Sequence, residues 1–195
     1  MSKKSAQRRS DLLDVAIKLI ANRGLAELTH RAIDQAAKLP QGSTSYYFPK
    51  KNDLLREAAE HLVLELEKDC DSLRIEFADV AAKKGFEKAI DHVAAVLVAS
   101  VDEARDLFLA RIELTIASSR NEELKGIGAK LTEAGKRPIA FFIGLITDEV
   151  SDVPLDTYVG LLDGIALKYV TGQGPQPTTE QIATLLKAFI PEKDQ

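Results

Sequence analysis

The chain has 195 residues, enough to bury a substantial core in one or two domains. Its single cysteine, Cys70, excludes an intrachain disulfide, and its longest apolar stretches, such as Ile139 to Ile146, fall far short of the roughly 20 residues of a membrane span. The net charge of −4 conceals an asymmetry, because residues 1–56 carry eleven lysines and arginines against five acidic residues while the remainder is acidic. A basic head on an acidic body fits a polyanion-binding module joined to something else, although an ordinary solvated surface gives the same count. The polar start, Ser2, Lys3, Lys4 and Ser5, is unlike a secretory leader, so the cytoplasm is the expected location.

Apolar residues recur at helical spacing nearly everywhere and nowhere alternate with period two for long, which predicts an all-α fold. The first helix is expected from Ser5 to Asn22, with Leu12, Leu13, Ala16, Ile17 and Ile20 on one stripe and Gly24 as its stop. Thr29 is a good N-cap for a short helix over His30 to Ala37, which puts Ile33, Ala36 and Ala37 inward. Lys38, Leu39 and Pro40 form a turn, and Gln41 to Tyr47 is just long enough for a third helix. A long helix follows from about Lys51 to Phe77, burying Leu55, Ala58, Leu62, Leu66, Cys70 and Leu73. Others are expected at Gly85 to Val101, Glu103 to Ser119, and Glu122 to Val150 with a bend at Pro138. The last two run from Leu155 to Thr171 and Thr179 to Ile190, separated by the loop Gly172 to Pro177, with Thr178 and Gln181 forming a capping box.

Three short helices with a turn before the third make a helix-turn-helix, whose last member presents its first residues to the major groove. The reader is then Gln41, Gly42, Ser43, Thr44, Ser45, Tyr46 and Tyr47: small residues allow close approach, glutamine addresses adenine, and tyrosine hydroxyls reach phosphates. A polar turn with aromatics capping a small core is the alternative, and for Phe48 it is the preferred one.

The stretch from the Thr29 cap through Gly42 to Leu55, with Gly42, Phe48, Lys51, Leu54 and Leu55 at matching positions, resembles the signature of the tetracycline-repressor (TetR) family over roughly residues 8–56. Asp34 stands where that family has alanine, Lys38 replaces the turn glycine, Pro40 the capping serine and Ser45 a tyrosine. The resemblance implies a helix-turn-helix domain over residues 1–50 and, after a bridging helix from about 51, an effector-binding and dimerisation domain over 51–195. It implies that Thr29, Gln41, Ser43, Tyr46, Tyr47 and Lys51 are the principal DNA contacts, with His30 and Arg31 as lesser ones. The function it implies is a homodimeric repressor on a palindromic double-stranded operator, released by a small molecule. The rivals are a DNA-binding regulator without such a ligand, and a helical carrier or enzyme.

The resemblance also implies pairing through the last two helices, where Tyr158, Gly160, Leu162, Gly164, Ile165, Ile182, Leu185, Leu186 and Phe189 supply an apolar face with two close-approach glycines; closing the monomer core is the other use of that face. It implies an effector cavity among the middle helices, for which Phe108, Arg111, Thr115, Phe141, Phe142 and Tyr169 are the candidates. Arg111 on an apolar helix needs a partner, which is either an internal carboxylate such as Glu113 or Asp91, or an acidic effector. His30, His61 and His92 lack neighbours at metal-ligand spacing, Gly126 to Gly128 follows no strand, and Cys70 reads as a core residue, so neither cofactor, metal nor enzyme chemistry is expected.

Overall fold

The computed structural model describes residues 3–146 and 154–188, excepting the side chains of 69–73 and 143–146. Every regular element among them is helical: α1 (Lys3–Arg23), a 3-10 turn Leu25–Glu27, α2 (His30–Ala36), α3 (Ser43–Tyr47), α4 (Lys51–Lys84), α5 (Phe86–Ser100), α6 (Arg105–Ser118), a second 3-10 turn Glu122–Leu124, α7 (Ile127–Ile146), α8 (Leu155–Val170) and α9 (Thr179–Lys187). None of the described helices is long and apolar enough to cross a membrane.

Two boundaries differ from expectation by five residues or more. The long helix α4 continues past Phe77 to Lys84, because the added residues favour helix, Lys83 pairs with Asp79 one turn back at 2.7 Å, and Gly85 with φ 86° ends it. Phe77 is a core anchor, its ring meeting Phe86 and Phe142 edge-on. The helix expected from Glu122 begins only at Ile127, since Gly126 takes φ 81° and Asn121 caps a separate 3-10 turn through the Glu123 amide. Pro138 lies inside α7, which continues through it. The expected end of that helix, at Val150, lies outside the described residues.

The chain divides into two compact units. The first comprises Met1–Leu66 with Arg105–Ala134, so it takes in α6. Its core is built on the stripe of α1, where Leu12, Ala16 and Ile20 are fully buried, together with Ile33, Phe48, Leu54, Ala58, Leu62 and Leu114. α6 packs along α1, and Asn22 fastens its start by donating to Asp106 and accepting from Arg105, each at 3.1 Å. On α2 the inward residues are Ile33 and Asp34; Ala36, expected inside, is exposed and Ala37 half-buried.

The second unit comprises Glu67–Ala104 with Gly135–Gln195, and its main contact is α5 against α9. Ala89, Ile90, Val93 and Ala94 meet Ile182, Ala183 and Leu186 in a core that includes Phe77, Ile139, Phe142 and Val159. Lys187 reaches Glu87 at 2.9 Å and Asp91 at 3.5 Å, tying the two helices at one end. The capping box on α9 is present in full, with Thr178 Oγ1 accepting from the Gln181 amide and the Gln181 side chain accepting from the Thr178 amide.

Candidate nucleic-acid interface

A helix of five residues cannot sustain itself, since nucleation costs more than so few hydrogen bonds return. α3 is therefore held from outside at both ends. At its start, Gly42 adopts the left-handed conformation, φ 94°, and three donors converge on the Asp34 carboxylate of α2. The Gly42 amide meets Oδ2 at 2.8 Å, while the Thr44 amide at 2.8 Å and the Thr44 hydroxyl at 2.6 Å share Oδ1. Asp34 is 2% exposed. Burial pushes its carboxyl up, but the bonds from Thr44 and Gly42, aided by nearby His30, outweigh this and leave it below the usual carboxylate value. The cap that Pro40 cannot provide thus comes from Asp34.

At the other end, the Tyr47 carbonyl accepts from Arg9 Nη1 at 2.9 Å, and the Phe48 carbonyl accepts from His30 Nε2 at 2.6 Å. The Arg9 guanidinium also forks onto Glu57 of α4 and lies 4.5 Å from the centre of the buried Phe48 ring. Between α2 and α3 the chain turns through Lys38, a non-glycine residue at φ 55°, with the Leu39 amide bonded back to the Asp34 carbonyl at 2.8 Å.

Clamped this way, α3 presents one face outward. Gln41, Gly42 and Ser45 are exposed, Tyr46 is 80% exposed, and Ser43 and Tyr47 are half-buried. The Ser43 and Ser45 hydroxyls donate to the carbonyls of Pro40 and Gly42 at 2.7 and 2.9 Å, leaving their oxygens as acceptors. The Tyr46 and Tyr47 rings meet edge-on with centroids 5.1 Å apart. Thr29, Arg31, Lys50 and Lys51 are exposed in the flanking segments, with Thr29 also capping α2 through the Ala32 amide at 3.1 Å. Thr44 differs from the sequence expectation: it is fully buried, with its hydroxyl bonded to Asp34. His30 serves the Phe48 carbonyl through one ring nitrogen, an internal use the sequence did not suggest. Asp34, Arg9 and Glu57 were missed as site residues; Asp34 had a signal, as an acidic residue at a position the resemblance makes apolar.

The six effector candidates divide between the units. On α6, Arg111 is 6% exposed with its guanidinium 5.2 Å from the Phe108 ring centre, and Thr115 Oγ1 is buried without a hydrogen-bond partner among the described residues. The suggested partner Asp91 belongs to the second unit, where Lys88 and then Lys187 hold its carboxyl below the usual range; Glu113 is exposed. Phe142 is 3% exposed and packed on Phe77, and Phe141 lies beneath Arg74. The Tyr169 hydroxyl donates to Asp102 at 3.0 Å, a bond that pushes the phenol up. No group of three histidine, cysteine or acidic residues suited to a metal occurs among the described residues.

Of the residues expected to pair two chains, Ile182 and Leu186 face inward instead, because α9 buries that stripe on α5. Tyr158, Leu162, Ile165 and Leu185 are half-buried, and Phe189 lies outside the described residues. Gly160 and Gly164 are exposed, as are Leu161 and Leu167, and a Cβ added to either glycine would meet nothing within 4 Å among the described residues. Ile165, Lys168 and Leu185 line an open groove of about 750 Å³ between α8, the loop from Gln173 to Pro177, and α9.

A helix-turn-helix whose last helix is clamped with a polar face outward, at the head of an all-helical chain, defines a DNA-binding transcriptional regulator. Residues 12–58 match the family described as bacterial regulatory proteins, tetR family, and residues 84–192 match the tetracyclin repressor-like C-terminal domain. The chain belongs to the TetR family. Among solved structures it is similar to the multidrug binding protein EbrR complexed with ethidium, at 25% identity over 95% of this chain and 99% of that one, TM-score 0.63. It is also similar to the TetR-family member SCO1917 from Streptomyces coelicolor A3, at 25% identity over 95% and 99%, TM-score 0.64. A TetR-family regulator from Marinobacter aquaeolei VT8 shares the fold at 14% identity, covering 96% and 95%, TM-score 0.65. No protein of curated function matches the sequence.

Proposed function

We propose that this regulator is a cytoplasmic repressor that binds a palindromic operator as a homodimer and releases it when a small molecule occupies the C-terminal part of the chain. The observation that carries the reading is the outward surface of α3 and the turn before it, where Gln41, Ser45 and Tyr46 are exposed and Ser43 half-buried, with Arg31, Lys50 and Lys51 exposed in the flanking segments. The first group offers hydrogen bonds to bases and the second offers charge to phosphates. A single reader this short covers few base pairs, so two copies about one helical turn apart supply the specificity. Support for a ligand comes from EbrR, whose structures hold ethidium and malachite green.

The test begins with sequencing of random duplexes retained by the purified protein, where an enriched palindrome is expected. Lys51→Ala should then weaken all duplexes about equally and lower the salt slope by roughly one unit. Gln41→Ala should change preference among duplexes. Malachite green is the first effector probe, because ethidium and proflavin stack into DNA themselves. A Lys51, Tyr46 double variant with unaltered affinity for the selected duplex would overturn the placement of the interface. Absence of any dye effect on operator binding would favour control without an aromatic cation.

A further inference from the structure

We propose that Asp34, acting with Thr44, is a positioning residue that sets operator specificity without touching DNA. The proposal rests on the DNA-binding reading above. The first amides of a helix lack intrahelical partners and commonly face an anion. In α3 they are already engaged: Gly42 and Thr44 donate to Asp34, each at 2.8 Å, and the Ser43 amide donates to the Pro40 carbonyl at 3.2 Å. Two consequences follow for DNA. A phosphate finds no open donors at the Gly42, Ser43 and Thr44 amides, so phosphate contacts fall to exposed side chains such as Arg31, Lys50 and Lys51. The direction of the helix is set from α2, through one carboxylate that is itself buried.

The donors are matched to a carboxylate and to nothing else of that shape. Two of them meet Oδ1 and one meets Oδ2. An asparagine amide can satisfy one side only, since its NH2 must then confront either the Gly42 amide or the Thr44 pair. The turn offers no substitute cap, with proline at 40 and Lys38 already in the left-handed region. Base contacts are directional and fail when the reader shifts, whereas attraction between lysines and phosphates is long-range and survives. Loss of the Asp34 bonds therefore reduces discrimination more than it reduces binding.

The experiment uses the full chain, a duplex enriched by the wild type from a random library, and a random-sequence duplex of equal length. Asp34→Asn and Thr44→Val should each lower affinity for the enriched duplex roughly ten- to hundredfold while leaving the random duplex nearly unaffected. Thr44→Ser, which keeps the hydroxyl, should retain the wild-type ratio. A wild-type ratio in Asp34→Asn or Thr44→Val would overturn the proposal, as would a Thr44→Ser ratio as poor as that of Thr44→Val. Circular dichroism at the assay temperature shows whether Asp34→Asn folds; should it not, the near-isosteric Thr44→Val decides. If the wild type enriches no duplex, it is the DNA-binding reading that fails, however Asp34→Asn behaves.

Discussion

Two buried or half-buried charges, Asp34 and Arg9, fix the reading helix from opposite ends. Arg9 makes three contacts at once, with Glu57, the Tyr47 carbonyl and the Phe48 ring. Arg9→Met keeps much of the apolar contact but removes every donor, leaving Glu57 and the Tyr47 carbonyl without this partner; it should cost about 1–3 kcal/mol by chemical denaturation, discounted because the pair is partly solvated. For Asp34 the sign follows from its lowered value. A carboxylate held below its unfolded value stabilises the fold above about pH 4 and loses that contribution as pH falls through the folded value. The stability gap between wild type and Asp34→Asn should therefore be constant from neutral pH to about pH 5 and narrow below about pH 4, as read by denaturation at several pH values. Neither role was legible from residue order alone. Arg9 and Glu57 are 48 positions apart, and periodicity does not report which charges meet.

At the scale of elements, sequence patterning was most informative where local rules decide. The α1 stripe, the Thr29 cap and the Thr178–Gln181 box all follow from residues within a few turns of one another. Thr178→Ala should accordingly lower stability by about 1 kcal/mol, measured by thermal or chemical unfolding. Patterning was least informative where a polar residue takes an inward place, as Asp34 does on α2, or where an apolar stripe has two conceivable partners. Ile182 and Leu186 illustrate the second case: their spacing announces a buried face without saying that α5 covers it. One close approach was invisible altogether. A Cβ on Gly128 of α7 would lie 2.0 Å from Ser118 Oγ of α6, which donates to the Thr115 carbonyl at 2.8 Å. Gly128→Ala should destabilise by about 1–3 kcal/mol, and Ser118→Gly in the same chain should restore much of the loss, a coupling that a double-mutant cycle would show.

For the whole molecule, the exposed glycines of α8 allow assembly to be tested apart from folding. A Cβ at Gly160 or Gly164 would meet nothing within 4 Å among the described residues, so a larger residue at 164 is expected to fit the monomer and to gain up to about 1 kcal/mol of helix propensity. In the proposed homodimer the same side chain would occupy space needed by the partner. Gly164→Leu should thus unfold no earlier than wild type yet sediment at lower mass and lose high-affinity operator binding. An unchanged sedimentation coefficient would place the subunit contact elsewhere. Coupling between ligand and operator would be reciprocal, DNA weakening the ligand by the factor by which the ligand weakens DNA. α4 is the element to watch, since its residues are shared between the two compact units.

The carboxylate beneath the reading helix also bears on how such a regulator can be re-addressed. A transplant of Gln41 to Tyr47 into a relative would carry Thr44 but leave Asp34 behind, and the graft would arrive with its hydroxyl facing whatever the host has at that place. The smallest transferable unit is consequently longer than the surface proposed to meet DNA: it runs from Thr29 through Phe48, with an arginine at position 9 waiting in the host. On the proposed reading, divergence of operators by stepwise change is constrained in the same way, because Gln41, Ser43, Ser45 and Tyr46 are open to substitution one at a time, whereas the carboxylate at 34 and the hydroxyl at 44 can be given up only together.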